Sequence, residues 1–180
     1  MDALAVWQRL SSVVVHSSPV FEVRQDAVVR PDGGHETRTH VVVPASVTVL
    51  AVDEHDRVVL TRQWVYTHGG TEWRLPGGLV VPADVDPAAA ARRELADSTG
   101  LCASLWTRIG RVHGADVVCD HVEHLFRADG VTAGVGLRGR AARVRRVPFD
   151  HAVELVRQGR LPHAGSAHAV LAEALRRTGA

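Results

Sequence analysis

The stretch that decides the fold is residues 76–101, PGGLVVPADVDPAAAARRELADSTGL. Asp86 and Pro87 predict the start of a helix, because Asp is a favoured N-cap residue and Pro is favoured at the first helical position. Residues 88–98 are mostly strong helix formers. Gly100 predicts the end, because glycine readily adopts the left-handed conformation that closes many helices. We therefore expect a glycine-containing loop followed by one helix.

Three side chains of this helix are predicted to share one face. At about 100° per residue, Glu94 and Asp97 lie roughly 60° apart, and Glu94 and Ser98 roughly 40° apart. Carboxylates on this face and a backbone carbonyl at Gly78 are hard oxygen ligands, which Mg²⁺ prefers. Gly77 and Gly78 lack side chains, so the backbone can approach a ligand closely. The stretch can therefore supply the ligands of a divalent cation.

The same stretch resembles the Nudix box, whose pattern is Gly, five residues, Glu, seven residues, Arg-Glu, an apolar residue, any residue, Glu-Glu, any residue, Gly and an apolar residue. Gly78 matches the opening glycine, and residues 93–101, RELADSTGL, match the second half with two changes. The resemblance is to the ADP-ribose pyrophosphatase branch of the Nudix hydrolase family, and it covers most of the chain. Further matching segments are residues 21–23, 62–64, 72–78, 124–126 and 147–150.

The resemblance implies an α+β fold, a Nudix α/β/α sandwich preceded by a small antiparallel β-region. We expect residues 1–45 to form this N-terminal β-region, which would make a homodimer, and residues 46–180 to form the Nudix domain. Local patterns agree with this division. They predict strands at 21–24, 27–30, 39–43 and 46–52, with a tight turn at Pro31-Asp32-Gly33-Gly34.

The resemblance also implies the cofactor and the residues of the site. The cofactor is expected to be Mg²⁺ or Mn²⁺, and the substrate a small nucleotide. A tryptophan beside such a site could stack on a nucleobase. The implied catalytic residues are Glu94, Asp97 and Arg93, the implied cation ligands are Gly78, Glu94 and Asp97, and the implied substrate contacts are Trp64, Arg62 and His121.

Acids of the family pattern are changed at three places, so the box is degenerate. Asp97 and Ser98 stand where the pattern has two glutamates, and a serine can bind a cation only as a weak neutral ligand or through water. The spacing is one residue too long, which puts Val85 at the first acid position; Asp84 could recover that role through a bulged loop. His121 stands where the branch often has an acid near the catalytic water. Because cation affinity follows ligand charge, we expect weakened hydrolysis.

Two classes of function follow from this pattern. The first is a divalent-metal-dependent hydrolase of nucleoside diphosphates linked to another moiety, of ADP-ribose or nucleotide-sugar type. The alternative is a catalytically inactive Nudix-fold protein that binds a nucleotide or serves as a regulatory subunit. Binding of nucleic acid through the arginine-rich run 138–146 is a third hypothesis, and the net charge of +1 argues against it.

Several histidines raise one alternative metal site. His113, His121 and His124 lie near acids in the sequence, so a zinc or manganese site is conceivable there. His121 and His124 are three residues apart, and in a strand they would face opposite sides of the sheet. The sequence therefore favours histidines of loops and of the core edge.

Composition limits the remaining possibilities. The chain has 180 residues, 46% of them hydrophobic and 23% charged, which suits one domain or one domain with a short appendage. No apolar run approaches the roughly 20 residues of a membrane helix, and the N-terminus lacks the pattern of a signal peptide. Cys102 and Cys119 make no disulfide framework, so we expect a cytoplasmic protein. All 21 basic residues are arginines, which excludes a Schiff-base mechanism.

Overall fold

The computed structural model describes residues 6–134 and 143–179. Within these ranges it contains ten strands, three α-helices and a short 3-10 turn at Tyr66–His68. The strands are β1 Gln8–Ser17, β2 Glu22–Val29, β3 His35–Val42, β4 Ser46–Ala51, β5 Arg57–Val65, β6 Gly70–Arg74, β7 Gly77–Leu79, β8 Leu101–Val112, β9 Glu123–Ala133 and β10 Arg143–Pro148. The helices are α1 Pro87–Thr99, α2 Phe149–Arg157 and α3 Ala164–Thr178.

The strands form three sheets. Their orders are β1-β2-β3, β10-β5-β6 and β7-β4-β9-β8. The four-stranded sheet is mixed, because β4 and β9 run parallel while β7 and β8 pair antiparallel with their neighbours. β7 lies at an edge of this sheet, which leaves one side of its backbone without a neighbouring strand.

Helices cover both faces of the four-stranded sheet. Alternate residues of a strand point to opposite faces, and β4 uses this to feed two separate hydrophobic clusters. Val47 and Val49 pack with Leu95 of α1 in one cluster, while Leu50 packs with Ala169 of α3 in the other. The predicted α/β/α sandwich of an α+β protein is therefore confirmed.

Helix α1 begins and ends where its sequence predicts. The side chain of Asp86 accepts a hydrogen bond from Ala89 N at 2.7 Å, and Pro87 occupies the first turn. Gly100 ends the helix at φ +74°, with its N–H bonded to Ala96 O. Local capping chemistry thus fixes the limits of the helix.

The chain divides into two compact units. One unit comprises residues 6–44 and 113–121, and the other comprises residues 45–112 and 122–179. The first unit thus includes the connection between β8 and β9, which the expected boundaries placed in the second domain. Hydrogen bonds explain this membership: Val41 N donates to Val118 O at 2.8 Å, and Asp120 N donates to Val41 O at 3.1 Å.

The antiparallel sheet of the first unit differs in detail from its prediction. One continuous strand, β2, replaces the two short strands expected at 21–24 and 27–30. β1 forms in a stretch for which no element was predicted, because pairing with β2 along its whole length outweighs its mixed local pattern. None of the helices in the described ranges is long and apolar enough to cross a membrane.

Candidate active site

Helix α1 places the carboxylate of Glu94 directly against the backbone of Gly78. A Cβ atom on Gly78 would lie only 2.5 Å from Cδ of Glu94. Such a contact is too short for a real Cβ, so a larger residue at this position would push the Glu94 side chain aside. The side chain of Glu94 is 13% exposed, which means that its charge is largely withdrawn from water. The loop and the helix therefore meet at one largely buried carboxylate.

Arg93 ties this arrangement together. Its Nε and Nη2 donate to the two oxygens of Asp84 at 2.9 and 2.8 Å, a bidentate pair. Its Nη1 donates to Glu94 Oε1 at 2.6 Å, and Nη2 also donates to Leu79 O at 2.9 Å. Asp97 Oδ2 lies 3.8 Å from Nη1. One guanidinium thus links the strand β7, the loop that follows it and the helix.

Asp84, and not Val85, provides the acid of the loop. Val85 is 91% exposed, whereas Asp84 faces Arg93. A turn closes the loop, with Val81 N donating to Asp84 Oδ2 at 2.9 Å. The hydrogen bonds from Arg93 lower the pKa of Asp84 to about 2, helped by the bond from Val81. The turn thus accommodates the extra residue of the box, and the shorter acid still reaches the arginine.

Ser98 adds no charge to the site. Its hydroxyl donates to Glu94 O of the preceding turn at 2.5 Å, and the residue is buried. A serine bonded to its own helix in this way has its one proton committed to the backbone. The anionic groups of the helix face are therefore Glu94 and Asp97.

Arg93 is the guanidinium that joins three carboxylates at this place, those of Asp84, Glu94 and Asp97. Glu94 is mostly buried, and Asp97 is 40% exposed. Two carboxylates on one helix face, one of them accessible from solvent, are suited to a divalent cation.

The hydrogen-bond phase of β7 decides where its carbonyls point. The register pairs Val47 with Gly78, and neighbouring bonds run from Val49 N to Pro76 O and from Val80 N to Ala45 O, both at 2.8 Å. Because hydrogen-bonded pairs recur at every second residue of an antiparallel ladder, the Gly78 carbonyl points towards β4. The carbonyls of Gly77 and Leu79 point to the open edge, which agrees with the bond from Arg93 to Leu79 O.

The available donors suit a cation whose other ligands come from substrate phosphates and water. No group of three or more His, Cys, Asp or Glu side chains in residues 6–134 and 143–179 could hold a metal ion by itself. Mg²⁺ is often held by one or two carboxylates together with substrate phosphates and water. Glu94, Asp97 and a carbonyl at the edge of β7 match that pattern. The alternative histidine site gains no support, and His124 instead faces Arg108, with Nδ1 and Nη2 3.2 Å apart.

The three predicted substrate contacts lie in different places. Arg62 and Trp64 belong to β5, where Arg62 donates to Thr71 Oγ1 at 3.1 and 2.7 Å and Trp64 is 64% exposed. His121 belongs to the first compact unit, whereas β5 and α1 belong to the second. Of the basic run, Arg138 and Arg140 lie outside the described residues, and Arg143 begins the exposed edge strand β10.

A second buried carboxylate was not singled out from the sequence. Glu123 is 6% exposed and accepts a hydrogen bond from Thr48 Oγ1, while His163 Nε2 lies 3.6 Å away. A Cβ atom on Gly165 would collide with its Oε1, so this carboxylate also packs against glycine. The alternation of β9 places Glu123 with Leu125, on the α3 side of the sheet. The signal in the sequence that could have pointed to Glu123 was an acidic residue at the start of a strand.

Comparison with known proteins bears on the family and the fold. A model of the NUDIX domain matches residues 42–168, and a model of the nucleoside diphosphate sugar hydrolase N-terminal domain matches residues 7–41. A crystal structure of an ADP compounds hydrolase superposes with a TM-score of 0.82 at 20% identity, covering 99% of each chain. That likeness shows the fold.

Three curated relatives are similar in sequence. An ADP-ribose pyrophosphatase of Mycobacterium tuberculosis (strain ATCC 25618 / H37Rv) is 31% identical over 69% of this chain, which spans only 60% of that relative's length. A CMP-5'-(N-acetyl-N-hydroxy-3-aminopropyl)phosphonate hydrolase of Streptomyces rubellomurinus is 30% identical over 92% of this chain and 81% of its own. An ADP-ribose pyrophosphatase of Bacillus subtilis (strain 168) is 26% identical over 87% of this chain and 86% of its own. The predicted resemblance is confirmed, and the chain belongs to the Nudix family.

Proposed function

We propose that this chain is a divalent-cation-dependent hydrolase of a nucleoside diphosphate linked to another moiety, of ADP-ribose or nucleotide-sugar type. The observation that carries the proposal is the pair of carboxylates Glu94 and Asp97 on one face of α1, with Glu94 against the glycine edge of β7. Diphosphate substrates carry negative charge themselves, so a cation between them and these carboxylates would strengthen their binding. The names of the relatives support this substrate class.

Glu94 and Asp97 would hold the cation, which we propose to be Mg²⁺ or Mn²⁺. The sequence predicted the carbonyl of Gly78 as a further ligand. Because that carbonyl points towards β4, we propose the carbonyl of Gly77, which points to the open edge, in its place. When bound, such a cation neutralises phosphate oxygens and makes water a better nucleophile. Two carboxylates bind it more weakly than three, so cation affinity would be modest.

The chain's own residues would position the reaction. Arg93 keeps Glu94 in place against Gly78, so we assign it a positioning role rather than a contact with the substrate. Trp64 would stack on the base, and Arg62 would contact the rest of the substrate; the contact expected of His121 stays a prediction from the sequence. In the reaction, a water oxygen bonds to one phosphorus while the bridging P–O bond breaks. The leaving phosphate keeps the electron pair, one proton is released, and the products are a nucleoside monophosphate and a sugar phosphate.

We also propose a homodimer formed through the N-terminal β-region. Every residue of β1 is exposed within the described chain, including Leu10, Val13, Val14 and Val15 at 52–55%. An edge strand with an exposed apolar row is a ready site for pairing. Light scattering of the purified chain checks this, and a monomer mass would contradict it. Cys102 and Cys119 are both free, which supports the prediction of a cytoplasmic protein.

The decisive experiment is a phosphate-release assay, coupled to a phosphatase, on a panel of ADP-ribose, nucleotide sugars and dinucleotides. It is run with Mg²⁺ and with Mn²⁺ on the native chain and on Glu94→Gln. We expect Glu94→Gln to lower turnover by at least about 100-fold, because even outer-shell partners of metal ligands are worth 10- to 100-fold. Glu154→Gln, an exposed acid of α2, is the matched control and should leave turnover unchanged. Equal turnover by the native chain and Glu94→Gln would contradict the proposal.

The second candidate is a nucleotide-binding protein without activity, and Ser98 is the observation that favours it. Its hydroxyl is bonded to the helix backbone, so the site lacks the third acidic side chain of the family pattern. If the native chain hydrolyses nothing on the panel but is stabilised against heat by one nucleotide, this candidate replaces the first.

A further inference from the structure

Arg74 carries a charge that no residue in the described ranges compensates directly. It ends β6, and the glycine edge of β7 begins three residues later. Its Nε is buried and has no hydrogen-bond partner among residues 6–134 and 143–179. A buried donor without an acceptor is costly, and native structures usually provide a partner from protein, water or ligand.

The two acids whose negative charges act on Arg74 are bonded to other residues. Glu72 Oε1 lies 2.7 Å from His68 Nδ1, and Glu123 accepts from Thr48 Oγ1 and faces His163 Nε2. Burial lowers the pKa of Arg74, while the negative charges of Glu72 and Glu123 raise it. The guanidinium nevertheless stays protonated at any working pH. It therefore stands near anions without a direct bond to either of them.

The backbone of Arg74 is held by strand pairing. Arg74 pairs with Thr61 in the β5–β6 ladder, and Thr61 Oγ1 donates to Arg74 O at 3.4 Å. The side chain is only partly exposed, so it is not a freely moving surface arginine. An arginine held in this way is preorganised for an acceptor supplied by another molecule.

The surroundings of Arg74 connect to the glycine edge. Thr48, which donates to Glu123, pairs with Gly77, and a Cβ on Gly77 would lie 3.2 Å from Thr48 Oγ1. Gly78 contacts Glu94 on the opposite face, since neighbouring residues of a strand point to opposite faces. The glycine edge thus adjoins both the anionic cluster of α1, through Gly78, and the residues near Arg74, through Gly77 and Thr48.

We propose that Arg74 binds a phosphate oxygen of the substrate, a role that rests on the hydrolase function proposed above. The planar guanidinium offers several donors in a fixed fork that matches phosphate oxygens. The phosphate belongs either to the nucleoside monophosphate half or to the sugar phosphate half of the substrate. In both cases the ligand supplies the acceptor that the described chain lacks.

The test measures equilibrium binding of ADP-ribose, AMP and ribose 5-phosphate to the full chain without divalent cations, so that no turnover occurs. The variants are Arg74→Gln and Arg74→Lys, with Arg157→Gln as a control at an exposed arginine of α2. We expect Arg74→Gln to weaken ADP-ribose binding about tenfold or more, as for loss of a hydrogen bond to a charged group. Arg74→Lys should recover part of the affinity, and Arg157→Gln should bind like the native chain. Weakening for AMP or for ribose 5-phosphate identifies which phosphate Arg74 contacts.

Thermal unfolding without ligand separates binding from a structural role. Removing an unpaired buried charge should leave the melting temperature unchanged or raise it. A lower melting temperature for Arg74→Gln, together with undiminished binding per folded molecule, would overturn the inference. The inference would also be overturned if Arg74→Gln bound ADP-ribose as tightly as the native chain does. If the native chain hydrolysed a compound of the panel in the same study, the proposed function would still stand. A native chain that neither binds nor hydrolyses any of these compounds would overturn both.

Discussion

Two clusters of the second unit each contain three carboxylates, and they differ in how arginines hold them. In the cluster on α3 three arginines contact the three acids, whereas in the cluster on α1 a single guanidinium, that of Arg93, contacts all three. The α3 cluster consists of Glu173, Asp129 and Asp56 with Arg127, Arg176 and Arg177, and the α1 cluster consists of Asp84, Glu94 and Asp97 with Arg93.

The α3 cluster is balanced, and its central carboxylate is buried. The side chain of Glu173 is fully buried and accepts from Arg176 Nε at 2.7 Å, from Arg177 Nε at 2.8 Å and from Arg127. Arg177 continues to Asp56 in the turn between β4 and β5 through two bonds of 2.8 and 2.7 Å. These bonds join the last helix to two parts of the sheet. A neutral, saturated cluster of this kind serves the fold.

The α1 cluster has the same number of acids but holds them differently. Arg93 binds Asp84 with two hydrogen bonds and Glu94 with one, while Asp97 lies 3.8 Å from it and is 40% exposed. The comparison teaches that the acids of α3 are enclosed by the fold, whereas the helix face of Glu94 and Asp97 is accessible from solvent. Like charges at short distance repel, so a divalent cation would lower the repulsion between these carboxylates.

Breaking the balanced cluster should have the largest effect on stability. Glu173→Gln leaves Arg127 with less compensation in a buried place, and loss of one partner of a buried pair typically costs about 3 kcal/mol or more. We expect the free energy of unfolding, measured with urea, to fall by about that amount. Glu154→Gln, an exposed acid of α2, should change it by less than about 0.5 kcal/mol.

The same cluster predicts the direction of acid sensitivity. Hydrogen bonds from Arg176, then Arg177 and Arg127, lower the pKa of Glu173 from 4.5 to about 2, although burial opposes them. A lowered pKa in the folded state means that the contribution is complete above pH 4.5 and is lost as the pH falls towards 2. Unfolding curves of Glu173→Gln should therefore depend less on pH in this window than those of the native chain. Parallel pH profiles would show that Glu173 is not the linked group.

The α1 cluster should respond through activity rather than through stability. Asp84→Asn keeps the shape of the side chain and removes the charge that binds Arg93. Arg93 would then hold Glu94 less firmly, and we expect turnover to fall about tenfold, as for a supporting residue of a metal ligand. Asp86→Asn is the matched control, because Asn caps a helix as well as Asp does. Equal turnover in both variants would mean that the Arg93–Asp84 pair does not support the site.

Local chemistry explains which parts were predictable from the sequence. The limits of α1 depend on Asp86, Pro87 and Gly100, all within a few residues of the helix, and they were predicted correctly. The meeting of Gly78 and Glu94 follows from the spacing of one loop–helix unit. In contrast, Arg127 and Glu173 lie 46 residues apart and meet only through the packing of α3 on the sheet.

Two further features could not be read from the pattern for physical reasons. The extra residue of the box left Val85 at the acid position, and only the turn closed by Asp84 shows how the loop absorbs it. An arginine in a strand looks alike whether its charge is paired or not, so the unpartnered Nε of Arg74 became visible only with its neighbours in place. Both features depend on three-dimensional contacts of a single side chain.

Adding charge to the α1 cluster should give the smallest effect and the sharpest comparison. Ser98→Glu would place a third carboxylate one turn beyond Glu94, on the same face of the helix. A carboxylate about 8 Å from a divalent cation contributes about 1 kcal/mol in water, equivalent to about a fivefold lower cation concentration for half-maximal turnover. Ser98→Gln has the same size without the charge, so it measures the cost of crowding a buried position. If only Ser98→Glu lowers the half-saturating concentration of Mg²⁺, charge limits the native site. If the two variants behave alike, the number of carboxylates on this helix face is not what determines cation affinity.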